Sequence, residues 1–367
     1  MSNGNVIAYN TAAFASTLFL LERGADKFVD HTAIVARRTG IPDTIIALLT
    51  AGAEWEELIV VVSSLAQGRP SLAVGNIVGS AISNILGAFS LGLLFRQTET
   101  PVQFDRSSRI YSLLLLVVTS LVVPVTYFPR GTIWLACGTT LVAVFAIYMV
   151  SIGLAISKGN LTAPEDSDDD SDTESVTTFA NSEEQEGQQP RQRAETEPLL
   201  GLQRGNLGRH NSGYHIIHLV IGFLAICLAS YVLSNAAANI IDAIGISEVL
   251  FGVVILAIAT TLPEKFVAVM SGHRGHVGIL VANTVGSNIF LLTLCMGIIM
   301  IDTSGEFNRG NVGIPELAVL WGSTLAFILT VWFGARFDRW IGGTMLVGYA
   351  AFIVMEFTVN RNVAGTV

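Results

Sequence analysis

The run Gly75-Asn-Ile-Val-Gly-Ser80 returns as Ala282-Asn-Thr-Val-Gly-Ser287, and a glutamate precedes each copy at the same distance, Glu57 in the first and Glu264 in the second. Asn76 and Asn283, Gly79 and Gly286, and Glu57 and Glu264 are each separated by 207 residues. Both copies lie in strongly apolar surroundings. An ionisable side chain inside lipid is costly and marks an ion pathway or a binding site. A duplicated, helix-interrupting motif that puts one such acid in each half therefore constrains the chain to a membrane protein of two repeated halves, the layout a cation carrier needs.

Composition agrees. Of the residues, 51% are hydrophobic and only 13% charged, and mean hydropathy is +0.59; a soluble domain carries roughly a quarter charged residues. The net charge of -9 comes largely from one stretch, Glu165 to Glu186, with Asp168-Asp169-Asp170 and Glu183-Glu184. Cys137, Cys227 and Cys295 lie in apolar segments without CxxC spacing and read as packed side chains rather than a disulfide or metal framework. The N-terminus lacks the basic region of a signal peptide, so cleavage is not expected.

A spanning helix needs about 20 mostly apolar residues. On that rule the first half (1–156) holds spans near 5–36, 41–67, 72–96, 108–128 and 132–156. The second half (214–367) holds spans near 215–242, 247–272, 277–300, 314–334 and 338–358. The repeated segments occupy about 41–96 and 247–300. The first helix carries Glu22, Arg23, Asp26, Lys27 and Asp30 in its second half, which must face protein or water. The expected fold is an all-α membrane protein of about ten transmembrane helices. Five spans per half is an odd number, so the halves enter the bilayer from opposite sides as inverted repeats, with the site at the midplane.

Loop charges orient the chain. Arg37, Arg38, Arg96, Arg106, Arg109, Lys158, Arg274, Arg336 and Arg339 fall on one side, against Arg69, Arg130, Arg309 and Arg361 on the other. The first side is the expected cytosolic one, with both termini opposite. The segment between the halves, 157–213, is then cytosolic. It is rich in Ser, Thr, Asp, Glu, Gln and Gly, and its composition predicts disorder. Ser167 and Ser171, each followed by acids, are candidate phosphorylation sites. Glu195-Thr-Glu-Pro-Leu199-Leu200 resembles the acidic dileucine signal that adaptor coats read. That signal would send the protein to a vacuolar or other endomembrane, with the plasma membrane as the alternative. No nucleic-acid partner is expected. His273 and His276, flanking Arg274, read as surface residues of a short loop.

The chemistry lies where each repeat interrupts its helix. Gly52 and Ala53 precede Glu54-Trp-Glu-Glu57, and Thr260-Thr261-Leu262 precede Pro263-Glu264. A proline inside a spanning helix removes a backbone bond and frees a carbonyl. Carbonyls, hydroxyls and carboxylates together make a hard oxygen cage suited to Ca²⁺ and Na⁺. No His or Cys cluster accompanies it to suggest zinc or copper. Gly79 and Gly286, each followed by a serine, permit close helix approach.

Taken together, Ala259-Thr-Thr-Leu-Pro-Glu264 with Ala282-Asn-Thr-Val-Gly-Ser-Asn288, and Gly75-Asn-Ile-Val-Gly-Ser80 with Asn84 beyond, resemble the paired alpha repeats of the cation/Ca²⁺ exchanger superfamily, which includes the sodium/calcium exchangers. Gly24-Ala25-Asp26 is similar to that family too. The resemblance covers both five-helix halves and omits the linker. It implies that Glu57 and Glu264 are the central metal ligands, one from each repeat. It adds Glu54, Ser80, Asn84, Thr260, Ser287, Asn76 and Asn283 to the cation-binding set, with backbone carbonyls near Thr50 and Ala257. It also implies alternating access, in which a gating pair of helices slides past a rigid bundle, and Ca²⁺ carried against Na⁺ or H⁺ with no bound cofactor.

The chain also departs from the family pattern. In the first repeat, Ala53-Glu54-Trp55-Glu56 replaces Thr-Ser-x-Pro, deleting two hydroxyls and the proline and adding two carboxylates. In the second, Leu291 stands where the family commonly has Asp. Glu54 and Glu57, three apart, are expected on one helix face, with Glu56 turned elsewhere toward water. Three clustered acids in low dielectric cannot all stay charged without a cation, so H⁺ ranks with Na⁺ as counter-ion. Three other readings compete. The acids could form intramembrane salt bridges to Arg23, Lys27 or Lys265. The chain could be a degenerate, cation-binding scaffold, or an ion channel. An enzyme is not expected, since no nucleophile–base pair or phosphate-cradling loop is present.

Overall fold

The computed structural model describes residues 3–38, 54–96, 104, 106–128, 131–157, 212–304, 306, 311–333 and 338–359. The sorting segment Glu195, Leu199 and Leu200, the serines 167 and 171, and Thr50 lie outside the described residues. Every regular element among the described residues is helical: α1 (Asn3–Arg38), α2 (Trp55–Ala66), α3 (Pro70–Leu94), α4 (Arg106–Tyr127), α5 (Gly131–Ser157), α6 (Ser212–Ile244), α7 (Glu248–Thr260), α8 (Leu262–His273), α9 (Val277–Thr303), α10 (Ile314–Phe333) and α11 (Asp338–Val359). Eight of these are long and apolar enough to cross a membrane, and α7 with α8, bent by 49° at a short break, makes a ninth. Of the span expected near 41–67, only its second part, α2, falls among the described residues.

The two halves repeat in their details. Gly68 and Gly275, again 207 apart, both have positive φ (69° and 77°) and turn the chain from α2 into α3 and from α8 into α9. A side chain at either position would be strained. Both following helices then widen to π-helical geometry at equivalent places, Ser83–Phe89 and Phe290–Cys295. Such π segments occur frequently at functional sites. A third, Phe251–Leu256, lies inside α7.

Helices α3 and α9 form the centre and are the most deeply buried of the spans. Helix α3 crosses α7 at a contact that only glycine allows. A methyl on Gly79 would collide with the Val253 carbonyl, one on Gly75 would lie 2.9 Å from the Val249 carbonyl, and one on Gly252 would lie 2.7 Å from that of Leu72. Gly286, the repeat of Gly79, is half-buried on α9. Around this centre, α4 packs on α10, α5 on α9, and α11 on the end of α3.

Helices α1 and α6 pack along one another as a long pair, meeting at Gly24 and Gly222. At 36 residues α1 is ~54 Å long, well beyond the ~30 Å hydrocarbon thickness. Its charged residues Glu22, Arg23, Asp26, Lys27 and Asp30 are exposed rather than turned to protein, which the surplus length permits.

Two arginines pin α3 at its ends. Arg69 pairs with Asp242 (2.7 Å) and with the buried Glu248 (2.9 Å), tying the α2–α3 turn to α6 and α7. At the far end, Arg96 pairs with Asp338, and its carbonyl accepts from Arg339 at 2.6 Å. Arg96 and Arg339 thus share one face of the bundle and Arg69 lies at the other, as the loop-charge division expects.

Candidate cation site

In each half a helix begins in the middle of the molecule, and the acids occupy its first turn. Glu56 and Glu57 sit in the first turn of α2, and Glu264 in that of α8. Backbone N–H groups and the helix dipole favour negative charge there. Pro263 starts α8 at the bend, and lacking an N–H it cannot bond the Ala259 carbonyl four residues earlier. The Ala257 carbonyl, which the resemblance placed in the cage, is occupied instead: Thr261 donates to it through its backbone N–H (3.2 Å) and its hydroxyl (2.5 Å). A threonine in the last turn before a break closes its own helix end in this way.

Glu57 is fully buried. One carboxylate oxygen accepts from the Ser80 hydroxyl at 2.9 Å and the other from the Asn76 amide; the Thr260 hydroxyl of the second repeat lies near Glu57 but donates to the Leu256 carbonyl at 3.0 Å. Asn76, Ser80 and Asn84 are spaced by four, so they present one face of α3. Asn84 lies in the π segment, buried, and among the described residues neither of its side-chain atoms is hydrogen-bonded and the buried Asn76 carbonyl oxygen likewise has no partner.

Glu264 does not repeat this arrangement. It lies against Glu54, and Ser287 is within hydrogen-bonding reach of Glu54. Carboxylate oxygens of Glu54, Glu56 and Glu264 lie within 4.8 Å of one another, and Oε2 of Glu264 is buried without a partner among the described residues. Asn283 is half-buried and bonds neither glutamate among the described residues. Two expectations are corrected here. Glu56 is not turned away but gathered with Glu54 and Glu264. Glu54 does not share Glu57's partners, because it is the non-helical residue before α2 (φ −74°, ψ 68°) and helical spacing does not govern where its side chain goes.

No carboxylate at this junction forms an ion pair with Arg23, Lys27 or Lys265 among the described residues. Lys265 donates to the Thr261 hydroxyl (2.5 Å) and carbonyl (3.0 Å). Thr261 then meets Ser83 at 2.9 Å, and Tyr349 of α11 donates to Ser83 at 2.9 Å. Ser83, Thr261 and Tyr349 were not among the residues expected at the site. Ser83 and Thr261 adjoin motif residues and were findable from that; Tyr349 carries no sequence signal, and only packing of α11 brings it in. Leu291, the repeat of Asn84, is fully buried, so the second π segment contributes no polar group at that place.

A membrane bundle of two repeats, with helix starts and the central α3 bringing acids and amides to one buried junction, is the architecture of a secondary cation transporter. Residues 9–153 and 214–358 each match the family model described as sodium/calcium exchanger protein, and the chain belongs to that family. Among its relatives are the inner membrane protein YrbG of Escherichia coli (strain K12), 27% identical over 95% of this chain and 96% of that one, and the sodium/calcium exchanger MaX1 of Methanosarcina acetivorans, 23% identical over 96% and 99%. The fold is also that of native YfkE (TM-score 0.64, 14% identity, 95% of this chain and 92% of that one) and of the sodium-calcium exchanger NCX_Mj (TM-score 0.56, 19% identity, 94% and 98%). The protein is an integral, multi-pass membrane protein of a family of transporters.

Proposed function

We propose that this protein is a secondary-active antiporter that exchanges Ca²⁺ for Na⁺ or H⁺ by alternating access, with Glu57 and Glu264 as the central ligands of the carried ion. One observation supports the reading above others: at the junction of the repeats, Glu264 Oε2, Asn76 Oδ1 and Asn84 Oδ1 are buried oxygens without hydrogen-bond partners among the described residues. Burying a polar atom unpaired costs about 1–3 kcal/mol. A hard cation offsets that cost, and hard cations take oxygen ligands of these kinds. Thr260 and Ser80 add hydroxyls, and Ser287 orients Glu54 beside Glu264. The long α1–α6 pair, which packs along its own length and meets α3 and α7 through one shared cluster that includes Phe14, Leu72 and Phe251, suits the part of the gate that slides.

The test is ⁴⁵Ca²⁺ uptake by the reconstituted chain under an imposed Na⁺ gradient and, separately, a pH gradient. Wild type is expected to take up Ca²⁺ only with a counter-ion on the opposite side. Glu57→Gln and Glu264→Gln are each expected to lose at least about 100-fold in uptake. Uptake that needs no counter-ion overturns the antiporter reading in favour of a channel. Calcium binding without any flux overturns it in favour of a non-transporting cation-binding protein.

A further inference from the structure

Four carboxyl groups, Glu54, Glu56, Glu57 and Glu264, converge on the junction, and one ammonium is built in beside them. Lys265 is partly buried and lies within electrostatic reach of Glu54, Glu57 and Glu264, yet pairs directly with none of them among the described residues. It is held instead by Thr261, and through Thr261 by Ser83 and Tyr349, so that α3, α8 and α11 fix its place. The packing is close: a methyl on Gly87 would lie 3.3 Å from Lys265 Cε. The first repeat has nothing like it. Leu58 stands at the equivalent position, and Glu54 stands where the second repeat has Thr261, the lysine's own anchor. The two repeats have thus diverged in opposite senses, one gaining acid and the other base, within a single electrostatic neighbourhood.

We propose that Lys265 is a tethered internal cation that takes the place of one monovalent counter-ion at the exchange site. The inference rests on the antiport reading above. Desolvated charge must be compensated before the site can cross from one side to the other. With Ca²⁺ bound, the ion and Lys265 bring three positive charges to four carboxyl groups. On the return step, monovalent cations must supply what Ca²⁺ supplied, and an ammonium tethered beside the site reduces their number by one. A hydroxyl–carbonyl anchor, rather than a carboxylate, suits this role because it holds the charge in place without consuming a ligand.

The experiment measures the endpoint of transport, which depends on coupling ratio and not on rate. Full-length wild type, Lys265→Gln and Lys265→Arg are reconstituted in vesicles clamped at zero potential. A tenfold outward Na⁺ gradient, or in a second arm a tenfold H⁺ gradient, drives ⁴⁵Ca²⁺ to its final accumulation. One additional counter-ion per cycle multiplies that accumulation by the gradient, so Lys265→Gln is expected to reach about tenfold above wild type, and Lys265→Arg to match wild type. A Lys265→Gln endpoint equal to wild type overturns the proposal. If Lys265→Gln binds Ca²⁺ but does not carry it, displacement of bound ⁴⁵Ca²⁺ by Na⁺ or H⁺ is read instead. A Hill coefficient one higher than wild type supports the proposal and an unchanged one overturns it. Should the glutamine variant not fold, Lys265→Leu, the residue of the first repeat, is put through the same measurements. Absence of flux in wild type would count against the antiport reading itself.

Discussion

The Ser80 hydroxyl donates to Glu57 Oε1 at 2.9 Å, whereas its repeat, Ser287, serves Glu54 and leaves Glu264 to the other acids. The halves are symmetric in backbone and asymmetric in chemistry. Glu57 is held rigidly by donors from α3, and Glu264 lies in a group of carboxyls that a cation or a proton must reconcile.

That asymmetry predicts a pattern of energetic coupling. In double-mutant cycles read by Ca²⁺ affinity, Ser80→Ala and Glu57→Gln are expected to couple by about 0.5–3 kcal/mol. Ser287→Ala is expected to couple comparably with Glu54→Gln and only weakly with Glu264→Gln. Strong coupling of Ser287 to Glu264 would mean that the two repeats hold their acids alike.

Ligand-dependent stability tests the buried oxygens. At a Ca²⁺ concentration about a hundredfold above Kd, wild type in detergent is expected to gain about 2.7 kcal/mol, seen as a higher Tm. Glu57→Gln, with its site intact in shape but short of one charge, is expected to show little or no rise at that concentration.

The α3–α7 crossing tests the backbone contact. Gly252→Ala would place a methyl 2.7 Å from the Leu72 carbonyl and is expected to cost about 1–3 kcal/mol. Gly278→Ala, on an exposed turn of α9 with nothing within 4 Å of the added methyl, is expected to be stabilising by about 0.5–1 kcal/mol, because alanine gives up less backbone freedom in a helix. Thermal unfolding of the two variants separates overlap from helix propensity.

The clamp at the start of α3 is the fourth test. Arg69→Ala leaves Glu248 buried without its cation, and the loss is expected to be about 2–4 kcal/mol. Asp242→Ala removes the more exposed partner, and about 1 kcal/mol or less is expected to follow. Denaturation of both variants at equal ionic strength gives the comparison.

The duplicated Asn-x-x-Gly-Ser segments, the paired acids and the apolar spans were legible because each depends on local rules: residues four apart share a helix face, proline ends a backbone ladder, and lipid excludes charge. Sequence alone therefore determined that this is a two-repeat membrane protein and that Gly79 meets a neighbouring helix closely, while the grouping of Glu57 with Asn76 and Ser80 came from the family resemblance. It did not determine what Glu54 and Glu56 would do. Helical spacing assigned Glu54 to Glu57, but the chain is not helical at Glu54, and its side chain follows the tertiary path to Glu264 and Ser287. Nor did it foresee that Thr261 would fill the Ala257 carbonyl, or that Tyr349, 84 residues beyond Lys265, would complete the lysine's anchor. Those arrangements rest on which surfaces pack across the two halves, and pairing between distant segments is written in shape and burial, not in any local period of the chain.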